Sequence, residues 1–284
     1  MGQSLANVSV LRLDQTGGSA PGNKWFKLQG NIAAARERGI GTIVSFGGPW
    51  SNHLHALAAI GLERGLQTIG IVRGEQPQNP SAMLRDAQAW GMQLVYVSRE
   101  EYRQRAEQEY IDGLHRRFGP CLVIPEGGAN TVGVTGCQAI AELLHAAGIS
   151  QHKVVLAVGT GTTLAGIAQG LGGSFAGQLV GVSVLKGAYD LDSNVAAFTT
   201  SDCARWQILH DHHCGGYARV SAGLREFILA FEAIHQIPLD PVYTGKALYA
   251  IHQLLISGQW SKQQPIVFVH TGGLQGRRGF SWLS

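Results

Sequence analysis

Apolar residues fall along the chain in two alternating patterns. Short runs rich in valine and isoleucine, at 8–13, 42–46, 68–72, 93–97, 122–124, 154–158, 179–184 and 266–270, predict buried strands. Longer stretches between them carry apolar residues three or four apart. These predict helices over 27–38, 51–64, 81–90, 99–117, 134–147, from 163 to 169, 222–235 and 246–256. Gly39, Gly65 and Gly148 stand just past three of the helices, where a left-handed residue ends a helix most easily. Strands that alternate with helices predict a parallel α/β fold, whose ligands sit outside the carboxyl ends of the strands. No linker-like stretch interrupts the pattern, so two domains would have to interleave.

Composition adds one feature. The chain has 284 residues, 45% apolar and 14% charged, with a formal charge of +3. Basic residues occur only singly or in pairs such as Arg116-Arg117, so no nucleic-acid stripe is expected. Cys121, Cys137, Cys203 and Cys214 are scattered, which argues against a disulfide framework. No membrane-length apolar run or N-terminal signal pattern is present, and a cytoplasmic location is expected. The 39 glycines are the outlier. They pair at expected strand ends: 47-48, 127-128, 172-173, 215-216 and 272-273. At such places a backbone turns tightly or approaches a ligand.

Several segments could carry chemistry at those ends. Lys24 follows a loop of small residues, where a helix is expected to begin, and Lys27 lies three residues on. An amine at such a joint can form an imine with an aldehyde, although most lysines are solvated surface charges. Gly159, Thr160, Gly161, Thr162 and Thr163 follow a buried strand and open a helix. Their free N–H groups and hydroxyls suit a phosphate; a ligand-free turn is the plain alternative. The stretch is neither a dinucleotide fingerprint nor a Walker loop, because Leu164 replaces the third glycine and no Gly-Lys-Ser/Thr follows. Trp50, Ser51, Asn52 and His53 follow the second strand. Ser51 can cap a helix, or it can face the crevice with its neighbours. The segment lacks the Gly-x-Ser-x-Gly of a nucleophile elbow. Tyr243-Thr244-Gly245-Lys246 and His270-Thr271-Gly272-Gly273 each set a hydroxyl beside glycine. His210 to Cys214 invites a metal reading, but adjacent residues seldom converge on one ion and no second cluster completes a site. No metal is expected; a polar loop near the crevice, followed by Tyr217, is.

In order and spacing, Gly22-Asn23-Lys24 with Lys27, the 48–53 and 127–130 segments, the 159–163 loop, the 241–246 segment and the 270–273 segment resemble the pyridoxal-phosphate family of D-cysteine desulfhydrase and 1-aminocyclopropane-1-carboxylate deaminase. The resemblance spans most of the chain. It implies pyridoxal 5'-phosphate as cofactor and fold type II, like the tryptophan synthase β subunit. That means two interleaved three-layer α/β domains: a large one from 1–27 with 139–284, and a small one from 28–138. A homodimer acting on a small amino acid is implied, with no nucleic-acid or membrane partner. Lys24 would anchor the cofactor covalently, and Lys27 would meet its phosphate with Gly159, Thr160, Gly161, Thr162 and Thr163. Asn52 would bond the ring hydroxyl. Trp50, Ser51, Asn52, His53, Tyr217 and Tyr243 would surround the substrate, with Ser51, Tyr217 and Tyr243 as candidate proton carriers beside Lys24.

Thr244 and Thr271 select the branch. Glutamate and leucine hold these positions in the deaminases. A neutral threonine leaves a milder electron sink, suited to α,β-elimination of D-cysteine to pyruvate, ammonia and hydrogen sulfide. Deamination of the cyclopropane or another small D-amino acid is the alternative, and a non-catalytic cofactor-binding protein a more remote one. Trp50 departs from the family, where glutamine is common, and bears on the substrate.

Overall fold

A computed structural model describes residues 5–283. The chain opens with β1 (Val8–Arg12) and α1 (Asn23–Glu37). It then runs through β2 (Thr42–Gly47), α2 (Asn52–Arg64), β3 (Gln67–Arg73), α3 (Ala82–Ala89), β4 (Gln93–Val97), α4 (Arg99–Arg103), α5 (Gln108–Phe118) and β5 (Leu122–Ile124). The second half is α6 (Thr131–Ala146), β6 (Lys153–Val158), α7 (Thr162–Leu171), β7 (Gln178–Ser183), α8 (Asp190–Ala196), β8 (Trp206–Leu209), α9 (Ala222–His235), α10 (Thr244–Ile256) and β9 (Ile266–His270).

The strands form two parallel sheets. One has the order β4-β3-β2-β5, the other β1-β9-β6-β7-β8. Both are covered on two faces, as the valine-rich runs require. Along β6 alternate residues serve opposite layers. Val154, Leu156 and Val158 pack with α6 and α7, while Val155 and Ala157 pack with α9 and α10. In the smaller sheet Ile43 meets α1, α2 and α3, whereas Val44 and Phe46 meet Tyr102 and Leu114 of α4 and α5. The two three-layer units interleave, because β1 crosses from the N-terminus to pair with β9 in the larger sheet. The expected second crossing at 138/139 falls inside α6. Val134, Cys137, Ile140, Ala141 and Leu144 of that helix all pack in the core of the larger sheet.

Three expectations change. The first helix starts at Asn23 instead of 27, so Lys24 lies in its first turn. The single helix expected over 99–117 is two helices with a break at 104–107, which lets Tyr102 and Leu114 both reach the core. Gly172-Gly173 marks the end of α7 and not of a strand.

Small residues let α6 approach its neighbours. A Cβ on Gly136 would collide with the Phe26 carbonyl of α1, and one on Gly166 would sit 2.5 Å from the Val134 carbonyl oxygen. Both obstacles are backbone, which retreats poorly. Gly136→Ala is expected to cost about 1–3 kcal/mol of stability. A lower urea midpoint at unchanged slope would show it; an unchanged midpoint would show that α1 can shift freely.

Candidate active site

The loops after β2, β5, β6 and β9 come together around the start of α1. Its entry is fixed by tertiary contacts. The Asn23 N–H donates to the Thr271 carbonyl at 3.0 Å, and Gly22 bridges to Gly272. Gly22 has φ 110°, and a Cβ there would lie 2.6 Å from the Thr271 oxygen, so the close approach needs glycine. The Asn23 amide donates to Thr163 Oγ1 at 2.8 Å, tying α1 to α7.

Lys24 and Lys27 share one side of α1 at i, i+3 spacing. Lys24 is half-buried and donates to Asn23 Oδ1 at 3.2 Å. Burial first, and then the charge of Lys27, bring the Lys24 amine down to about 7. Lys27 is buried, and burial brings it down to about 8. Its Nζ donates to the Gly127 carbonyl at 3.1 Å and to Thr160 Oγ1 at 3.5 Å. Thr160 and Thr162 share a hydrogen bond of 2.9 Å. Gly161 caps α7 in the left-handed region without a side-chain partner, which leaves the N–H groups of the first turn facing outward. A lysine, two hydroxyls and a helix N-terminus thus converge on a place for an anion.

Ser51 caps α2, accepting from the Leu54 N–H at 3.2 Å. Its own proton stays available. Asn52 Oδ1 accepts from Gln275 Nε2 at 2.6 Å, and Gln275 also reaches the Trp50 carbonyl. Sequence reasoning missed Gln275, which has no signal beyond following the 270–273 segment. The Trp50 indole turns toward the C-terminal segment and packs on Gly279. It lines a groove with Pro49, Pro80 and Arg85, of which Lys24 is no part. Ser45 Oγ donates to the Ile124 carbonyl at 2.7 Å, so it accepts the 2.9 Å bond from His53 Nε2. His53 Nδ1 therefore carries a lone pair; it is buried and unpartnered. Burial, then Lys24 and Lys27, hold His53 well below its ordinary value, so it stays neutral.

The far wall is the start of α10. Asp240 Oδ1 accepts from the Val242 and Tyr243 N–H groups at 3.0 and 2.7 Å. The Asp240 N–H donates to Thr244 Oγ1 at 2.7 Å, and that hydroxyl returns a longer bond of 3.4 Å to the Asp240 carbonyl. Burial raises the Asp240 carboxyl to about 7. Gly159 lets the Tyr243 ring come close, and Tyr217 meets that ring edge-on at 6.3 Å. Burial lifts the Tyr243 phenol well above its ordinary value, whereas Tyr217 is 45% exposed. Thr271 contributes its carbonyl to α1. In the 210–214 loop His210 Nε2 pairs with Asp192 Oδ2 at 2.6 Å, and His213 Nδ1 accepts from the Gly215 N–H at 3.0 Å. Among the described residues no group of three or more His, Cys, Asp or Glu could hold a metal, and no helix is long and apolar enough to cross a membrane.

This donor set fits an aldehyde that carries a phosphate. The anion cradle stands beside an amine that is about half neutral at pH 7. The comparisons agree. The family model described as pyridoxal-phosphate dependent enzyme matches residues 10–272. A Pyrococcus horikoshii protein with the provisional name 1-aminocyclopropane-1-carboxylate deaminase is 28% identical, over 95% of this chain and 86% of its own. D-cysteine desulfhydrase of Klebsiella pneumoniae is also 28% identical, over 94% and 86%. The crystal structure of an ACC deaminase homologue superposes with a TM-score of 0.85 at 26% identity, covering 99% of this chain and 90% of that one. With such a match along almost its whole length, in sequence and in fold, the chain belongs to the pyridoxal-phosphate dependent enzymes of fold type II, in the family of 1-aminocyclopropane-1-carboxylate deaminases and D-cysteine desulfhydrases.

Proposed function

We propose that this enzyme catalyses α,β-elimination of a small amino acid, with D-cysteine going to pyruvate, ammonia and hydrogen sulfide. The observation that carries the reading is the Lys24 amine, lowered to about 7 beside the anion cradle of Lys27, Thr160 and Thr162. Pyridoxal phosphate, when bound, supplies an aldehyde for the substrate amine and a ring that takes up the electron pair left at the α-carbon.

The residues divide the remaining work. Lys24 anchors the cofactor and, once released, is a base of suitable strength for the α-proton. Lys27, Thr160, Thr162 and the α7 N-terminus hold the phosphate. Thr163 holds Asn23, and through it the start of α1. Tyr217 and Tyr243 stay neutral at pH 7, so they serve as donors to the substrate and not as resting bases. Ser51 keeps a proton for the substrate carboxylate. Asn52 is placed by Gln275 to meet the ring hydroxyl.

Thr244 favours elimination over ring opening. Its hydroxyl is uncharged, and its proton, held by the Asp240 carbonyl only at 3.4 Å, can turn to the ring nitrogen and leave it unprotonated. That sink is enough when a thiolate can depart from the β-carbon. The chemistry of the Klebsiella relative's name is thus the better fit than that of the Pyrococcus relative's. Release of the keto acid decides the matter: pyruvate from D-cysteine or L-cysteine, 2-oxobutanoate from 1-aminocyclopropane-1-carboxylate. D-cysteine is expected to exceed the other two by at least about tenfold in kcat/KM, a difference of about 1.4 kcal/mol in transition-state binding. A faster reaction with the cyclopropane would overturn the assignment.

A further inference from the structure

Lys246 has no task in the chemistry above, yet its placement is costly. It lies in the first turn of α10, two residues after Thr244, and is fully buried. A cation in such a place is hard to explain by packing, since an apolar side chain of similar volume usually serves stability as well or better. Its Nζ donates to the Gly216 carbonyl at 2.6 Å. Gly216 directly precedes Tyr217.

The backbone around Tyr217 is unusual. Cys214, Gly215, Gly216 and Ala218 all have positive φ, at 51°, 95°, 107° and 56°. Two of these residues are not glycine. Such conformations persist only where the surroundings hold them, and they cluster at sites of function. Inside the loop the Gly216 N–H reaches the His213 carbonyl, and the Gly216 carbonyl also accepts from the Arg219 N–H. Those bonds are local and travel with the loop. The Lys246 bond is charge-assisted and comes from a helix of the core. The same helix start holds the second tyrosine, because Asp240 accepts from the Tyr243 N–H. Two buried polar side chains, Lys246 and Asp240, therefore hold the backbone at the two tyrosines whose rings meet at 6.3 Å.

We propose that Lys246 is a positioning residue that pins the 214–218 loop to the start of α10 and so presents Tyr217 to the substrate beside Tyr243. The proposal rests on the reading that Tyr217 faces the substrate.

The test is a double-mutant cycle in the holoenzyme with D-cysteine. Lys246→Met is expected to lower kcat/KM by about 10- to 100-fold, the scale of a small misplacement at a reacting centre. Tyr217→Phe should cost about as much, and the double variant no more than the worse single one. Lys246→Gln, which keeps a neutral donor, should recover part of the loss, and it replaces Lys246→Met in the cycle if that variant does not fold. Pyridoxal phosphate affinity should be unchanged. Amide exchange at 214–218 in the cofactor-free protein should rise about tenfold or more, against little change in α10. Losses that add in the double variant, or exchange at 214–218 that stays the same, would overturn the pin. Because exchange needs no cofactor, it reads the pin even if the wild type binds no pyridoxal phosphate, a result that would instead sink the functional assignment.

Discussion

Lys24→Ala is expected to reduce turnover by about a thousandfold or more, since it removes the covalent anchor and the base together. The fold should survive. Lys24 is half-buried, and its bond to Asn23 Oδ1 can be replaced by water. The wild type mixed with pyridoxal phosphate should develop visible absorption, and borohydride should fix the label on Lys24. The alanine variant should bind the cofactor without a trapped adduct. The reaction also has a pH signature. Only the neutral amine attacks the aldehyde, and burial with the Lys27 charge sets the amine at about 7. The rate of adduct formation in the cofactor-free protein should therefore climb as pH rises through about 7 and level off above it. A free lysine would keep climbing toward its ordinary value near 10.5. A protein that stays colourless with excess pyridoxal phosphate would end this reading.

Lys27→Ala carries the second-largest effect, on affinity. Lys27 Nζ has a carbonyl and the Thr160 hydroxyl as partners, and its own proton count is the largest positive contribution to the cradle. A hydrogen bond to a charged group contributes about 1.5–3 kcal/mol, so the pyridoxal phosphate Kd should rise by about 10- to 100-fold. Arginine should not rescue it. Lys27 is only 3% exposed, and a planar, longer guanidinium cannot reproduce the point contact of its Nζ with the Gly127 carbonyl and Thr160. Loss of the neighbouring positive charge should also raise the Lys24 pKa, and the midpoint of adduct formation should move upward by the same amount. The opposite pattern, a trapped adduct lost in Lys27→Ala and kept in Lys24→Ala, would exchange the two roles.

Most of the architecture was legible along the chain, and the exceptions have causes. The long valine and isoleucine runs announced β2, β3, β6, β7 and β9, since a strand buried on both faces tolerates little else. β8 and α8 escaped because they are short, and Trp206–Leu209 mixes apolar and polar residues at an edge. The break at 104–107 has no glycine or proline to mark it. It comes from the demand that Tyr102 and Leu114 meet the same sheet face. The start of α1 moved to Asn23 because a distant carbonyl, that of Thr271, accepts its N–H.

For the site, local order along the sequence was sufficient to nominate Lys24, Lys27, Ser51, Asn52 and the 159–163 loop, because each stands where a strand ends or a helix begins. Such joints expose backbone groups and are read from glycine, hydroxyl and amide residues alone. What no local pattern contains is which joints meet and how dry they are. Parallel strands bring together residues far apart in the chain, as where Asn23 meets Thr163 and Asn52 meets Gln275. Burial then sets the chemistry. It makes Lys24 an amine of about 7 and keeps His53 neutral, while the fold brings Lys246 against the Gly216 carbonyl. The kinds of group at the site were determined by the sequence itself. Their partners, protonation and tasks were decided only by the tertiary structure, because desolvation and long-range contact exist only once the two sheets have closed around them.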